Sequence, residues 1–271
     1  MFDPAQLSPD LAAGADALAA RIEEAGLNAA QPPEQLLYDG WLLRLSPGKA
    51  RRARSVNAIA DGRLELQQRI DRCRALYARA GLPCLFRITP FSRPAGLDQV
   101  LGRLGFAAED ETRVMSMRLD AVAKPAPRER EWREIGVTEF AQLAGDLRRS
   151  SAQQVAAHAA RLEAAPPLLK ACRLALIENG SVVAIGQSVQ EFDLVGLYDI
   201  ATAAQARNRG LATALASALL WRAAAEGAAL AYLQVSADNI AARQVYRRLG
   251  FVDRYVYWYR VDPGLHRSPP A

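Results

Sequence analysis

Between Leu197 and Thr213 the chain holds the residue types that an anion site needs, in a workable order. Leu197-Tyr198-Asp199-Ile200-Ala201-Thr202 reads as a strand and Ala203–Ala206 as a tight connection. Arg207-Asn208-Arg209-Gly210-Leu211-Ala212-Thr213 then enters a helix whose Leu211, Leu215 and Leu219 recur every four residues. The first turn of a helix has amides without intrahelical partners and the positive end of the macrodipole, so it stabilises an anion. Gly210 and Ala212 let a diphosphate come close to the backbone, and Arg207 and Arg209 add positive charge. Neither G-x-x-x-x-G-K-[ST] nor G-x-G-x-x-G occurs, so a phosphate site of another kind is required.

A second constellation follows after a strand at Leu230–Val235: Asn239-x-x-Ala242-x-x-x-Tyr246-x-x-x-Gly250-Phe251. Ala242, Val245, Tyr246 and Leu249 fall at i, i+3, i+4 and i+7, which predicts a helix with one buried face. On these residues alone, Tyr246 could be a core aromatic with a satisfied hydroxyl, and Asn239 a helix cap.

Taken together, Arg207-x-x-Gly210-x-Ala212 and the Asn239–Phe251 string resemble the two hallmarks of the GNAT (GCN5-related N-acetyltransferase) superfamily, over roughly residues 135–261. The resemblance implies acetyl-CoA as co-substrate and direct transfer to an amine. It assigns the pantetheine to backbone groups of Ile200, Ala201 and Thr202, where this strand diverges from Leu230–Val235. The pyrophosphate falls to Arg207, Asn208, Arg209, Gly210, Leu211, Ala212 and Thr213. Asn239 would help hold the pantetheine arm, and Tyr246 would sit by the sulfur and protonate the departing thiolate. Asp199 ranks ahead of Glu191 as general base, although each could equally be a surface carboxylate or an ion-pair partner of an arginine. Ala204 stands where many members carry proline.

These residues need a frame. The predicted fold class is α/β (α+β): two GNAT-like units, each a mixed, mostly antiparallel sheet flanked by helices. The boundary is set at 124/125 by the proline-rich, charged run at 121–131. The units echo each other. Gln99–Phe106 and Gln244–Phe251 agree at six of eight positions, and Gly105/Gly250 and Gly81/Gly227 are 145 and 146 residues apart. In the first unit, strands are predicted at Trp41–Leu45, Ser55–Ile59, Cys84–Ile88 and Thr112–Leu119, and helices at Leu64–Ala80 and Leu97–Leu104. The second should have helix over 138–165, broken by Pro166-Pro167, then strands at Arg173–Glu178, Val182–Gln190 and Leu194–Thr202. On the last strand, Arg254–Val261, alternation places Tyr255, Tyr257 and Tyr259 on one face and Val256 and Trp258 on the other, as core or as a wall of the acceptor site. The first unit has Leu101 in place of Tyr246 and Arg63-Leu64-Glu65-Leu66 in place of the glycine loop, so it reads as degenerate, kept for packing or for shaping the acceptor pocket.

Composition agrees with a packed protein: 51% hydrophobic and 23% charged residues. No long apolar run or leader pattern is seen, so a soluble cytoplasmic protein is expected, without membrane partners. Three cysteines without metal-ligand spacing predict reduced thiols and no metal. The net charge of +5 is arginine-rich and densest at Lys49–Arg54, where a solvated loop or an anion contact would serve; no aromatics flank it, so nucleic acid is not expected. The expected partners are acetyl-CoA and a small amine, in a monomer or homodimer. A protein lysine or N-terminal acetyltransferase and a non-catalytic CoA-binding module are the alternatives.

Overall fold

A computed structural model describes residues 16–120 and 131–266. The N-terminal part contains α1 (Ala17–Ala29), β1 (Gln35–Tyr38), β2 (Trp41–Arg44), β3 (Val56–Asn57), α2 (Leu66–Arg79), β4 (Leu85–Ile88), α3 (Leu97–Arg103) and β5 (Ala107–Arg118). The C-terminal part adds β6 (Glu131–Glu134), α4 (Val137–Arg148), α5 (Ala152–Glu163), β7 (Lys170–Glu178), β8 (Ser181–Glu191) and β9 (Leu194–Thr202). It ends with α6 (Leu211–Ala225), β10 (Leu230–Ser236), α7 (Ile240–Arg248) and β11 (Val252–Val261). The run at 121–131 lies outside the described residues except for Glu131, which already begins β6.

All strands among the described residues join one sheet in the order β1-β2-β3-β4-β11-β5-β10-β9-β8-β7-β6. Its pairings are antiparallel except β3 with β4 and β9 with β10, so it is mixed and mostly antiparallel. The two parts exchange their last strands. β11 inserts between β4 and β5, and β5 lies between β11 and β10. In each part, a helix links the two parallel strands, and a short helix ending in a positive-φ glycine (Gly105, φ +84°; Gly250, φ +100°) precedes the exchanged strand. Only glycine takes that left-handed turn without steric cost.

Helices cover both faces of the sheet. Leu211, Leu215 and Leu219 of α6 pack with Phe251, Tyr246 and the Leu174, Ala231 and Leu233 side of the strands. On the same face, α2 and α3 enclose Phe86, Val256 and Trp258. The opposite face is covered by α1, over Tyr198, Tyr232, Tyr255, Tyr257 and Tyr259, and by α4 and α5 over Ala175 and Ile185. β11 therefore alternates as its sequence predicts. α1, β1 and β6 are not apparent in the sequence: α1 has no charged first or last turn to mark its ends, and β1 and β6 are four-residue edge strands.

The predicted continuous helix over 138–165 is instead two. Arg149 adopts φ +51°, and Ser151 then caps α5 in a reciprocal box with Gln154. Ser-x-x-Gln is a start signal for a helix, and it overrides the helix propensity on either side. No described helix is long and apolar enough to cross a membrane.

A buried ion pair ties α1 to β4 and to the exchanged strand β11. Glu23 takes both guanidinium nitrogens of Arg87 on β4 and accepts a 2.7 Å hydrogen bond from the Tyr255 hydroxyl on β11. Burial alone would raise the Glu23 carboxyl, but Arg87 and the Tyr255 hydrogen bond hold it below its ordinary value. Removing one member leaves an uncompensated buried charge, so Glu23→Gln should lower unfolding stability by about 3–5 kcal/mol in urea titrations. Because the folded value is depressed, this contribution is present above the ordinary glutamate range and is lost as pH falls below it.

Candidate functional site

β9 and β10 run side by side only from Leu194↔Leu230 to Leu197↔Leu233; beyond that point they separate. The cause lies within β9. Its register against β8 jumps between Ala201↔Ile185 and Tyr198↔Gln187, an extra residue on β9, and Asp199 at the bulge takes φ +55°. A bulge bends its strand and redirects a side chain. Past it, Ala201 and Thr202 remain paired to β8, while the β10 side of Ile200–Thr202 has no strand partner.

The separation opens a cleft of about 290 Å³. One wall is Leu197–Ile200, another Leu233–Ser236, and α7 contributes Asn239, Ala242 and Tyr246. The remaining wall comes from the opposite face: Ala30 after α1, Ala50 and Arg52 from the N-terminal part, Arg148 of α4 and Arg161 of α5. The cleft thus passes from the α6/α7 face of the sheet to the α1/α4/α5 face.

At the start of α6, Gly210 is the N-cap at φ +74° and no side chain caps the helix, so the amides of Leu211, Ala212 and Thr213 stay open. Asn208 is also left-handed at φ +59°, which curls the loop around those amides. A Cβ on Gly210 would meet nothing within 4 Å, so the space before the helix is clear. Arg207 is exposed and makes no ion pair among the described residues, whereas Arg209 is held by Glu178 at 2.8 Å. The loop fits a diphosphate, with Arg207 the freer of the two cations.

Tyr246 packs edge-on against Phe251, with ring centroids 5.9 Å apart, and its hydroxyl makes no hydrogen bond among the described residues. Burial pushes it up to about 12, so it stays protonated at neutral pH. Asn239 caps α7, its Oδ1 accepting from the Ala242 amide at 3.1 Å, while the residue also lines the cleft. The capping role and the cleft position coexist.

Asp199 is not a free carboxylate. Its Oδ1 accepts from Arg148 at 2.7 Å; its Oδ2 accepts from Gln187 at 2.9 Å and lies 3.2 Å from Nε2 of His158 and 3.7 Å from Arg161. Burial would raise it, but the His158 hydrogen bond and the charges of Arg148 and Arg161 hold it well below its ordinary value. Of the alternatives left open by the sequence, the geometry realises the ion-pair partner. Glu191 lies away from the cleft and accepts from Asn28 at 2.9 Å.

His158 and Arg161, one helical turn apart on α5, were missed in the sequence because a helix continuous through 138–165 would not fold back; the Ser151 cap is the signal that could have found them. His158 lines a smaller crevice of about 90 Å³ that shares Ala50, Arg148, Arg161 and Asp199 with the main cleft. The Lys49–Arg54 run is only partly solvated: Arg51 pairs with Glu109 and Asp110, both at 2.8 Å, and Arg52 turns into the cleft.

The matching position in the N-terminal part is filled by the protein itself. Before α2, the amides of Arg63 and Leu64 donate at 3.0 Å to the Asp39 carboxylate, which also pairs with Arg69 at 3.2 Å. These backbone hydrogen bonds hold Asp39 below its ordinary value. An internal carboxylate occupies the place an external anion would take. No cluster of three or more metal-ligating side chains is found among the described residues.

Comparisons with known proteins agree with this geometry. Residues 19–260 match the family described as "Probable histone acetyltransferase Rv0428c C-terminal". The chain is 29% identical over 234 residues to "Uncharacterized N-acetyltransferase YobR" of Bacillus subtilis (strain 168), covering 82% of this chain and 89% of that one. Its fold superposes on a GCN5-related N-acetyltransferase from Kribbella flavida with TM-score 0.68 at 19% identity, over 91% of this chain and 96% of that one. A tandem GNAT protein from the clavulanic acid biosynthesis pathway gives TM-score 0.53 at 18% identity, over 76% and 75%.

Because a side chain at Gly210 meets no atom, Gly210→Ala carries only the left-handed backbone penalty. Urea unfolding should show a loss of about 1–2 kcal/mol; a larger loss would mean that the loop packs against something.

Proposed function

The chain belongs to the GNAT N-acetyltransferase superfamily, and on that premise we propose that it moves an acetyl group from acetyl-CoA directly to the primary amine of a small, cytoplasmic acceptor. The observation that carries this reading is the single cleft lined by Ile200, Asn239 and Tyr246 at the point where β9 and β10 part.

Acetyl-CoA supplies an activated thioester, whose C–S bond is exchanged for a C–N bond. The open amides of Leu211, Ala212 and Thr213, with Arg207, suit its diphosphate, and the unpaired edge at Ile200, Ala201 and Thr202 suits the amides of its pantetheine arm. Tyr246 lines the cleft, and in this reading its hydroxyl serves the reacting end. With its value near 12 against about 8.5 for an ordinary thiol, full proton transfer to the thiolate is uphill, so Tyr246 acts mainly as a hydrogen-bond donor to the developing charge.

The proton leaving the amine needs an acceptor of higher affinity than Asp199, whose carboxylate is already satisfied by four neighbours. We assign it to His158, directly or through water. Asp199 lies against Nε2 and favours the tautomer protonated there, leaving Nδ1 free to accept. No cysteine lines the cleft, and burial pushes Cys73 up to about 12, which supports direct transfer over an acyl-cysteine route.

We keep the division at 124/125 as part of this proposal: the N-terminal unit has its helix-start amides closed by Asp39 and supplies Ala50 and Arg52 to the proposed acceptor wall. A wall built by a second unit suits a small acceptor better than a protein chain, so a small amine is favoured over the histone named in the family description.

Calorimetry should show acetyl-CoA binding at micromolar concentration, equally for Tyr246→Phe, while that variant loses about 100-fold in turnover. Absence of binding rejects the function, and unchanged turnover rejects the role of Tyr246. His158→Gln should lose about 100-fold in turnover at saturating acetyl-CoA while cofactor affinity is kept. Retained turnover would place the base elsewhere.

A further inference from the structure

The acceptor end of the cleft carries more positive charge than the protein itself neutralises. Three guanidinium groups line it, those of Arg52, Arg148 and Arg161, against one carboxylate, Asp199. Arg148 donates to that carboxylate at 2.7 Å, and Arg161 approaches it only to 3.7 Å, beyond hydrogen-bond reach. Arg52 has no carboxylate partner among the described residues. Its guanidinium lies 5.6 Å from the centre of the Tyr198 ring, and its Nη1 is buried without any hydrogen bond.

A buried, unpaired guanidinium nitrogen is costly, and buried charge normally has a counter-ion. Here the cost is compounded, since burial and the neighbouring charge of Arg52 both push Arg161 below its ordinary value. Arg51, the neighbour of Arg52 in the same turn, is satisfied by Glu109 and Asp110 on the other side. The ring of Tyr198 is itself fixed by a 2.7 Å hydrogen bond between its hydroxyl and that of Tyr232; Tyr257 and Tyr259 also lie near Arg52, but none of these neighbours is a carboxylate.

We propose that Arg52 and Arg161 form a carboxylate subsite, and that the acceptor is a small amine carrying a carboxylate, of the amino-acid class. This rests on the acetyltransferase reading and narrows its substrate. A planar carboxylate accepts two parallel hydrogen bonds from a guanidinium, which fixes the acceptor's orientation as well as its charge. Anchored on the α1/α5 face, its amine would be presented through the gap between β9 and β10 to the side where Tyr246 lies. The cleft volume of about 290 Å³ leaves room for a small acceptor at its arginine-lined end. The N-terminal unit then has a defined part in catalysis: it selects the acceptor.

The test uses the full chain with two matched panels, the common amino acids and their carboxamides, followed by thiol release. Wild type should acetylate members of the acid panel with kcat/KM at least tenfold above their carboxamides. Arg52→Gln should reduce kcat/KM for the acids by about 10- to 100-fold, mostly through KM, and reduce it for the carboxamides by a clearly smaller factor. Arg52→Lys should restore part of the loss. Calorimetry on the same samples should give one acetyl-CoA dissociation constant for all three proteins, and the N-acetylated acids should bind wild type but not Arg52→Gln. Equal use of acids and carboxamides, transfer to neither panel, or an equal loss on both panels in Arg52→Gln overturns the subsite. If acetyl-CoA still binds in those cases, only the substrate class falls; if it does not bind, the acetyltransferase reading falls with it.

Discussion

The parting of β9 and β10 is the constraint on which the rest of the molecule depends. Two parallel strands that stayed paired to their ends would leave no opening through the sheet. The extra residue at Asp199 prevents this, because a bulge bends β9 while β10 continues straight against β5. A non-glycine residue at φ +55° is conformationally costly, and here the cost is offset by the contacts its side chain gains from Arg148, His158 and Gln187. The same residue therefore opens the cleft and anchors the cations around it.

Strand exchange makes that opening rigid. β5 borders β10 and β11 lies beyond it, so the far edge of the cleft-forming pair is never a free edge. α1 reinforces the seam through Glu23, which reaches β4 and β11 at once. The two units are consequently not independent bodies that happen to touch. Each supplies strands to the other's neighbourhood, and the first lends the second part of its cleft wall. Within the first unit, the counterpart of the phosphate loop is closed by Asp39. One physical device, a set of open amides before a helix, thus appears twice: once available to a ligand, once satisfied internally.

Most elements that carry the site were legible in the sequence, since each depends on local pattern. The β9-loop-α6 segment, the α7 face with Tyr246 and the alternation of β11 follow from periodicity and helix-end chemistry. The wall proposed for the acceptor was not legible, for two reasons. Its residues come from distant segments, Arg52, Arg148 and Arg161, joined only by the tertiary fold. Its geometry also turns on the break at Arg149–Ser151, which an apparently continuous helical pattern conceals. Asp199 was identified from its place on the strand, yet its ion partners lie on α4 and α5 and change its chemistry from proton acceptor to anchor. The single sheet was equally hidden, because similar halves in sequence say nothing about which strands pair across them.

Hydrogen exchange with and without acetyl-CoA tests the account at its centre. Slowed exchange at the amides of Leu211, Ala212 and Thr213 and along Ile200–Thr202, with Arg63 and Leu64 unchanged, is the result the account predicts. Unaltered exchange at both of the first two places, or protection gained instead before α2, would contradict it.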